Sequence, residues 1–131
     1  MELKDLVGKH LLSGVDIIQE TGRDIWHEEY EVVRFVLDSK TYKAIEDLSD
    51  GYRSYLANLE VTSEEITNVF SPQEVVGKMM EDNTHCVNDV IQFIDTTTGK
   101  TVLEIGTENT DDYYPYCIMR WYPENLAVNN R

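Results

Sequence analysis

Ser71-Pro72-Gln73-Glu74-Val75-Val76-Gly77-Lys78-Met79-Met80 is the stretch on which the fold class turns. It opens with a Ser-x-x-Glu pattern, in which the hydroxyl caps a free backbone N–H and the glutamate reaches back to the N–H of the cap residue. Pro72 falls at the first helical position, where its missing donor costs nothing. Val75, Val76, Met79 and Met80 then share one face at helical spacing. Thr62-Ser63-Glu64-Glu65 has the same capping form. These signals predict two short helices in the middle of the chain, about residues 63–69 and 72–81.

On either side of this stretch the hydrophobic period is two. In residues 28–37, Tyr30, Val32, Arg34 and Val36 point one way and Glu31, Val33, Phe35 and Leu37 the other, with the β-branched and aromatic content of a strand. Asp38-Ser39-Lys40 is a turn, and Thr41 to Ile45 returns as the hairpin partner. Val15 to Ile18 is a shorter strand, preceded by a short helix between Glu2 and Lys9, and Tyr52 to Val61 is another strand after the Ser49-Asp50-Gly51 turn. Val90 to Asp95 and Thr101 to Gly106 form a second hairpin with Gly99 at the positive-φ position. Tyr116 to Tyr122 is a final strand before Pro123. The layout predicted is α+β: one domain over residues 1–131, a twisted and mainly antiparallel sheet with two short helices in the middle of the chain.

The chain has 25 Asp plus Glu against 11 Lys plus Arg, a formal charge of 11 − 25 = −14. The excess is spread evenly: residues 1–66 carry 7 − 15 = −8 and residues 67–131 carry 4 − 10 = −6. It therefore belongs to the surface of a folded domain and not to an acidic tail. A nucleic-acid binder needs basic groups to displace counterions from phosphate, so direct nucleic-acid binding is not expected. At 41% hydrophobic residues the chain holds enough apolar material for a core. No secretory signal and no apolar run of membrane-spanning length is visible, and Cys86 and Cys117 read as reduced, buried side chains, which places the protein in the cytoplasm.

No catalytic pattern stands out. Glu31 occupies the place where a zinc metalloprotease would have its second histidine after His27, and Leu48 stands where a calcium loop with Gly51 as its sixth residue would need an oxygen ligand. There is no glycine-rich phosphate loop and no nucleophile elbow. The expectation is a non-enzymatic protein without metal or cofactor. The aromatic residues are more informative. Tyr52 adjoins Arg53, and Trp121 and Tyr122 adjoin Arg120. Such pairs can stack on a base and fork onto a phosphate, and they are equally what protein interfaces enrich.

Lys40 to Asp47, Val75-Val76-Gly77, the run from Phe93 to Gly99-Lys100-Thr101 and the Asp112-Tyr113-Tyr114 turn resemble a group of small acidic proteins encoded by bacterial viruses. Many members of that group carry a His and a Gln-Asp-Cys-Cys-Glu run after the first hairpin; Ile45 to Tyr52 here lacks both. More loosely, the layout is similar to the anti-Thoeris sponge proteins of phages. Those are oligomers that hide a cyclic ADP-ribose-type signal, with an aromatic residue on the adenine and arginines on the phosphates. This resemblance implies an anti-defence protein of the host-cell cytoplasm, a homo-oligomer that sequesters a nucleotide-derived immune signal. Its implied site has Phe93, or Tyr113 or Trp121, stacking on the base. Arg120 and Arg34 would hold phosphate, and Asp111 or Asp112 would accept ribose hydroxyls. The alternatives are an acidic nucleic-acid mimic that blocks a host defence protein, and a small viral structural or regulatory protein without a discrete site.

Overall fold

Alternation of buried and exposed side chains decides the structure almost throughout. The computed structural model describes residues 1–21, 29–45, 58–80, 88–108 and 116–122. Within them lie a short 3-10 helix (Leu3–Leu6) and eight strands: β1 (Gly8–Thr21), β2 (Glu29–Leu37), β3 (Lys40–Ile45), β4 (Asn58–Thr62), β5 (Val69–Met79), β6 (Asn88–Asp95), β7 (Thr101–Glu108) and β8 (Tyr116–Trp121). All neighbours pair antiparallel in the order β4-β3-β2-β1-β5-β6-β7-β8.

The predicted α+β class is therefore corrected to all-β. Both predicted mid-chain helices are absent. Residues 63–68 are an irregular connection with a bend at Thr67, and Ser71 to Met79 lie inside β5. The hydroxyl of Thr62 does make the local bond its motif promises, accepting from the Glu64 N–H at 3.1 Å, but in a turn and not at a helix cap. Pro72 is tolerated because β5 is irregular there. Gln73 pairs with Leu12 and Val69 with Gly14, so β5 spends four steps where β1 spends two. Gly77 has its own reason to be a strand residue. A Cβ on it would lie 2.4 Å from the Leu6 carbonyl oxygen, so only glycine lets the 3-10 helix seat on β5.

The two predicted hairpins are present. Asp38 (φ 53°) and Ser39 (φ 69°) make the two-residue turn between β2 and β3, and Gly99 (φ 74°) closes the turn between β6 and β7. β1 is longer than the predicted strand and serves both halves of the fold. Its residues 12–21 pair with β2 and its residues 8–14 with β5, with an irregularity between Leu12 and Gly14. The sheet bends at that point and folds over itself. Phe35 of β2 and Phe93 of β6 show this directly: their ring centroids are 5.9 Å apart. In a flat sheet three strand spacings would separate them by about 14 Å. Both rings are fully buried, with Leu12, Val15, Val33, Val75, Ile91, Leu103 and Ile105 around them, and Leu3 and Leu6 of the 3-10 helix join the same core. No helix among the described residues is long and apolar enough to cross a membrane.

Candidate functional site

The face of β2 turned away from the core carries a polar row. Asp16, Arg34, Lys43 and Glu60 lie directly opposite one another across β1, β2, β3 and β4. The row is covered by the connection from β4 to β5, which steps back over these strands. Arg34 forks onto Asp16, with Nε donating to Oδ1 at 2.8 Å and Nη2 to Oδ2 at 2.6 Å. Its Nη1 donates to Glu64 of the connection at 3.2 Å. The Thr67 hydroxyl donates to Asp16 Oδ2 at 3.0 Å, and the Val15 N–H donates to the Asn68 carbonyl at 3.1 Å. Lys43 Nζ lies 2.5 Å from Glu20 and 3.8 Å from Glu64. Ile66 is buried, and a Cβ on Gly14 would lie 3.2 Å from the Asn68 carbonyl oxygen and 3.5 Å from the Ile66 methyl group.

Charge pairing dominates the row. Burial alone would raise the Asp16 carboxyl, but the donors on Arg34 and Thr67 outweigh it and hold the group below its usual range. The hydrogen bond to Asp16 holds Arg34 charged to higher pH. Burial alone would lower Lys43, but Glu20, Glu64 and Glu60 outweigh it and raise it. The arrangement is a clamp that ties the connection down onto the sheet.

The predicted binding residues are not brought together. Phe93 is a core residue, packed against Phe35 and edge-on to His10, with no face open to a base. Arg34 is spent on Asp16 and Glu64. Phe93, Leu103 and Trp121 form one cross-strand row, and Gln92, Glu104 and Arg120 form the next. Successive residues of a strand point to opposite faces. Phe93 and Trp121 therefore face inward while Arg120 faces outward, and the two cannot grip one ligand. Trp121 stacks on Phe70 at 6.4 Å, with its indole nitrogen buried and lacking a hydrogen-bond partner among the described residues. Asp111, Asp112 and Tyr113 lie outside the described residues.

Around Arg120 the outer face holds a small polar group that sequence reasoning missed. Glu104 is nearly buried, accepting from Gln92 Nε2 at 2.6 Å and from the Tyr122 hydroxyl at 3.0 Å. The exposed Arg120 guanidinium lies 3.8 Å from the same carboxylate. Lys78 sits opposite Gln92 in this row. Neither Asp16 with Arg34 nor Glu104 with Arg120 is adjacent in sequence, and only strand register joins them.

Gly99-Lys100-Thr101 matches the end of a nucleotide-binding P-loop, but Ile94 stands where its first glycine belongs. The segment is a hairpin turn whose amides are already taken. Asp95 Oδ1 accepts from the N–H groups of Thr97 at 2.7 Å and Thr98 at 2.9 Å. A carboxylate occupies the position a phosphate would need. Among the described residues no group of three or more His, Cys, Asp or Glu is placed to hold a metal ion.

The fold defines an all-β antiparallel domain. No protein-family model matches the chain, and no solved structure matches it. A protein named putative helicase 121R, from Invertebrate iridescent virus 3, is 28% identical over 105 residues. The match covers 75% of this chain and 11% of that protein, so the chain spans only about a tenth of its relative's length.

Proposed function

We propose that the chain is a non-enzymatic binding module that docks, as an acidic mimic of nucleic acid, on a basic protein surface built to hold nucleic acid. The observation that carries this reading is where the charges go. Burial removes charge of both signs, Arg34 and Lys43 together with Asp16, Asp95 and Glu104, while Glu31, Glu60, Glu65 and Glu74 remain exposed. The outward surface keeps the excess of the −14 chain. Complementary potentials steer such a surface to a basic groove and exclude acidic partners. The likeness to part of a viral protein named as a putative helicase supports a setting among proteins that handle nucleic acid. The test is binding of labelled chain to the host's nucleic-acid-binding defence enzymes. The expected result is an affinity that collapses between low and high salt and is competed away by double-stranded DNA. Binding that ignores both salt and DNA, or no binding at low salt, overturns the reading.

A second reading is the sponge: a homo-oligomer in the host cytoplasm that sequesters a nucleotide-derived signal. It is favoured by the exposed Arg120 beside Tyr122, with Lys78 in the same row. On this reading calorimetry detects a cyclic ADP-ribose isomer or a cyclic oligonucleotide, and Arg120→Ala abolishes the heat. In the mimic Arg120→Ala leaves partner binding in place.

A further inference from the structure

His10 has both ring nitrogens committed to oxygen atoms that can only accept. Nδ1 faces Asp38 Oδ2 at 2.6 Å, and Nε2 faces the Leu6 carbonyl at 2.8 Å. A neutral imidazole carries one N–H and satisfies one of these; only the doubly protonated ring satisfies both. The Asp38 side is the fixed one. Its Oδ1 accepts from the Leu11 N–H at 2.9 Å and its own N–H donates to the Leu11 carbonyl at 2.9 Å. The hydrogen bond from His10, ahead of that from Leu11, holds the Asp38 carboxyl below its usual range. Leu6 ends the four-residue 3-10 helix, whose ends are tied by the Asp5 N–H to the Glu2 carbonyl at 3.0 Å, the Glu2 N–H to Asp5 Oδ2 at 2.9 Å and the Val7 N–H to the Lys4 carbonyl at 3.3 Å.

We propose that the 3-10 helix is a proton-operated plug, latched by His10. In the doubly protonated state the ring ties the Leu6 carbonyl to the β2–β3 hairpin and keeps Leu3 and Leu6 seated over Gly77. When the ring loses a proton it keeps the bond to Asp38, and a lone pair on Nε2 then faces the Leu6 carbonyl oxygen. That contact is repulsive, so the helix loosens and uncovers the apolar surface it shares with Ile91 and Phe93. Asp38 faces the ring from the hairpin, with Lys40 near that carboxylate; β6 contributes the edge of Phe93. From β5 the cross-strand neighbour is the neutral Val75, and Asp95 lies one strand further in that row. Lys4 and Asp5, on the helix itself, are exposed.

The experiment is NMR on the whole chain across the His10 titration. The ring resonances of His10 give its midpoint. The methyl groups of Leu3 and Leu6, and amide exchange at Asp5 and Val7 corrected for intrinsic pH dependence, report the helix. The expected result is that the helix signals move with the His10 midpoint, with exchange protection falling roughly fivefold to tenfold as the ring becomes neutral. In His10→Gln, which is neutral at every pH, the helix signals should stay flat. Helix signals that stay constant through the wild-type titration overturn the proposal, and so does a transition that persists in His10→Gln. Were His10→Gln not to fold, the coincidence of midpoints in the wild-type chain decides alone.

Discussion

Arg34 shows what one side chain does when its register partner is a carboxylate. With the guanidinium removed, Asp16 stays buried with its charge uncompensated. Arg34→Ala is expected to cost about 3–5 kcal/mol, read by urea denaturation. Replacing both partners by apolar residues of similar size, Asp16→Leu with Arg34→Met, should recover most of that loss, because no buried charge is then left alone. Phe93→Ala should cost about 3–5 kcal/mol through the cavity it opens between the two halves of the core. Arg120 is exposed and away from the core, so Arg120→Ala should change stability by less than about 0.5 kcal/mol. The contrast between these two variants in a thermal melt separates a packing role for Phe93 from a surface role for Arg120.

The connection between β4 and β5, and β5 itself, carry predictions at the scale of elements. The carboxyls of Asp16, Asp38 and Asp95 titrate below the ordinary value of 3.8 in the folded chain. For Asp95, burial pulls upward, and the Thr98 and Thr97 amides with Gln73 outweigh it. Just below the ordinary value the unfolded chain binds more protons than the folded one. The stability these groups contribute is complete above that value and is lost as pH falls from there through the folded values. Lys43 is raised above 10.5, so its contribution is complete below 10.5 and lost as pH rises through its folded value. Urea midpoints measured at successive pH values should fall at both ends, and Asp16→Asn should remove part of the acid limb. Gly77→Ala sets a methyl group against the Leu6 carbonyl and should cost about 1–3 kcal/mol. Hydrogen exchange should show the 3-10 helix loosening in that variant before β5 does.

For the whole molecule the far-ultraviolet circular dichroism should show a β spectrum without the helical double minimum, which an α+β fold with two helices would display. Much of this fold was legible along the chain. β2, β3, β6 and β7 show themselves by alternation and by turns whose chemistry is local, at Asp38-Ser39 and at Gly99. β5 was not legible, because Ser71-Pro72-Gln73-Glu74 satisfies a helix-start pattern and Val75, Val76, Met79 and Met80 share one face only at helical spacing, whereas a strand divides them between its two faces. Two signals against a helix were there: adjacent β-branched valines, and a glycine that costs a helix interior about 1 kcal/mol. Of the proposed binding residues, the inward and outward facing of Trp121 and Arg120 was readable from strand alternation. The burial of Phe93 and the engagement of Arg34 were not, since the first depends on Phe35 across the folded sheet and the second on Asp16 and Glu64, all distant in sequence. The sequence by itself determined the acidity, the hairpins and which residues of each strand share a face, because charge, turn chemistry and alternation are local properties. Only the tertiary structure decided that β5 is a strand, that the sheet bends at Leu12 to Gly14, and that two of the chain's few basic groups are buried beneath the β4–β5 connection. Those outcomes come from pairing with distant strands, and the energy of such pairing exceeds the small local preferences that pointed elsewhere.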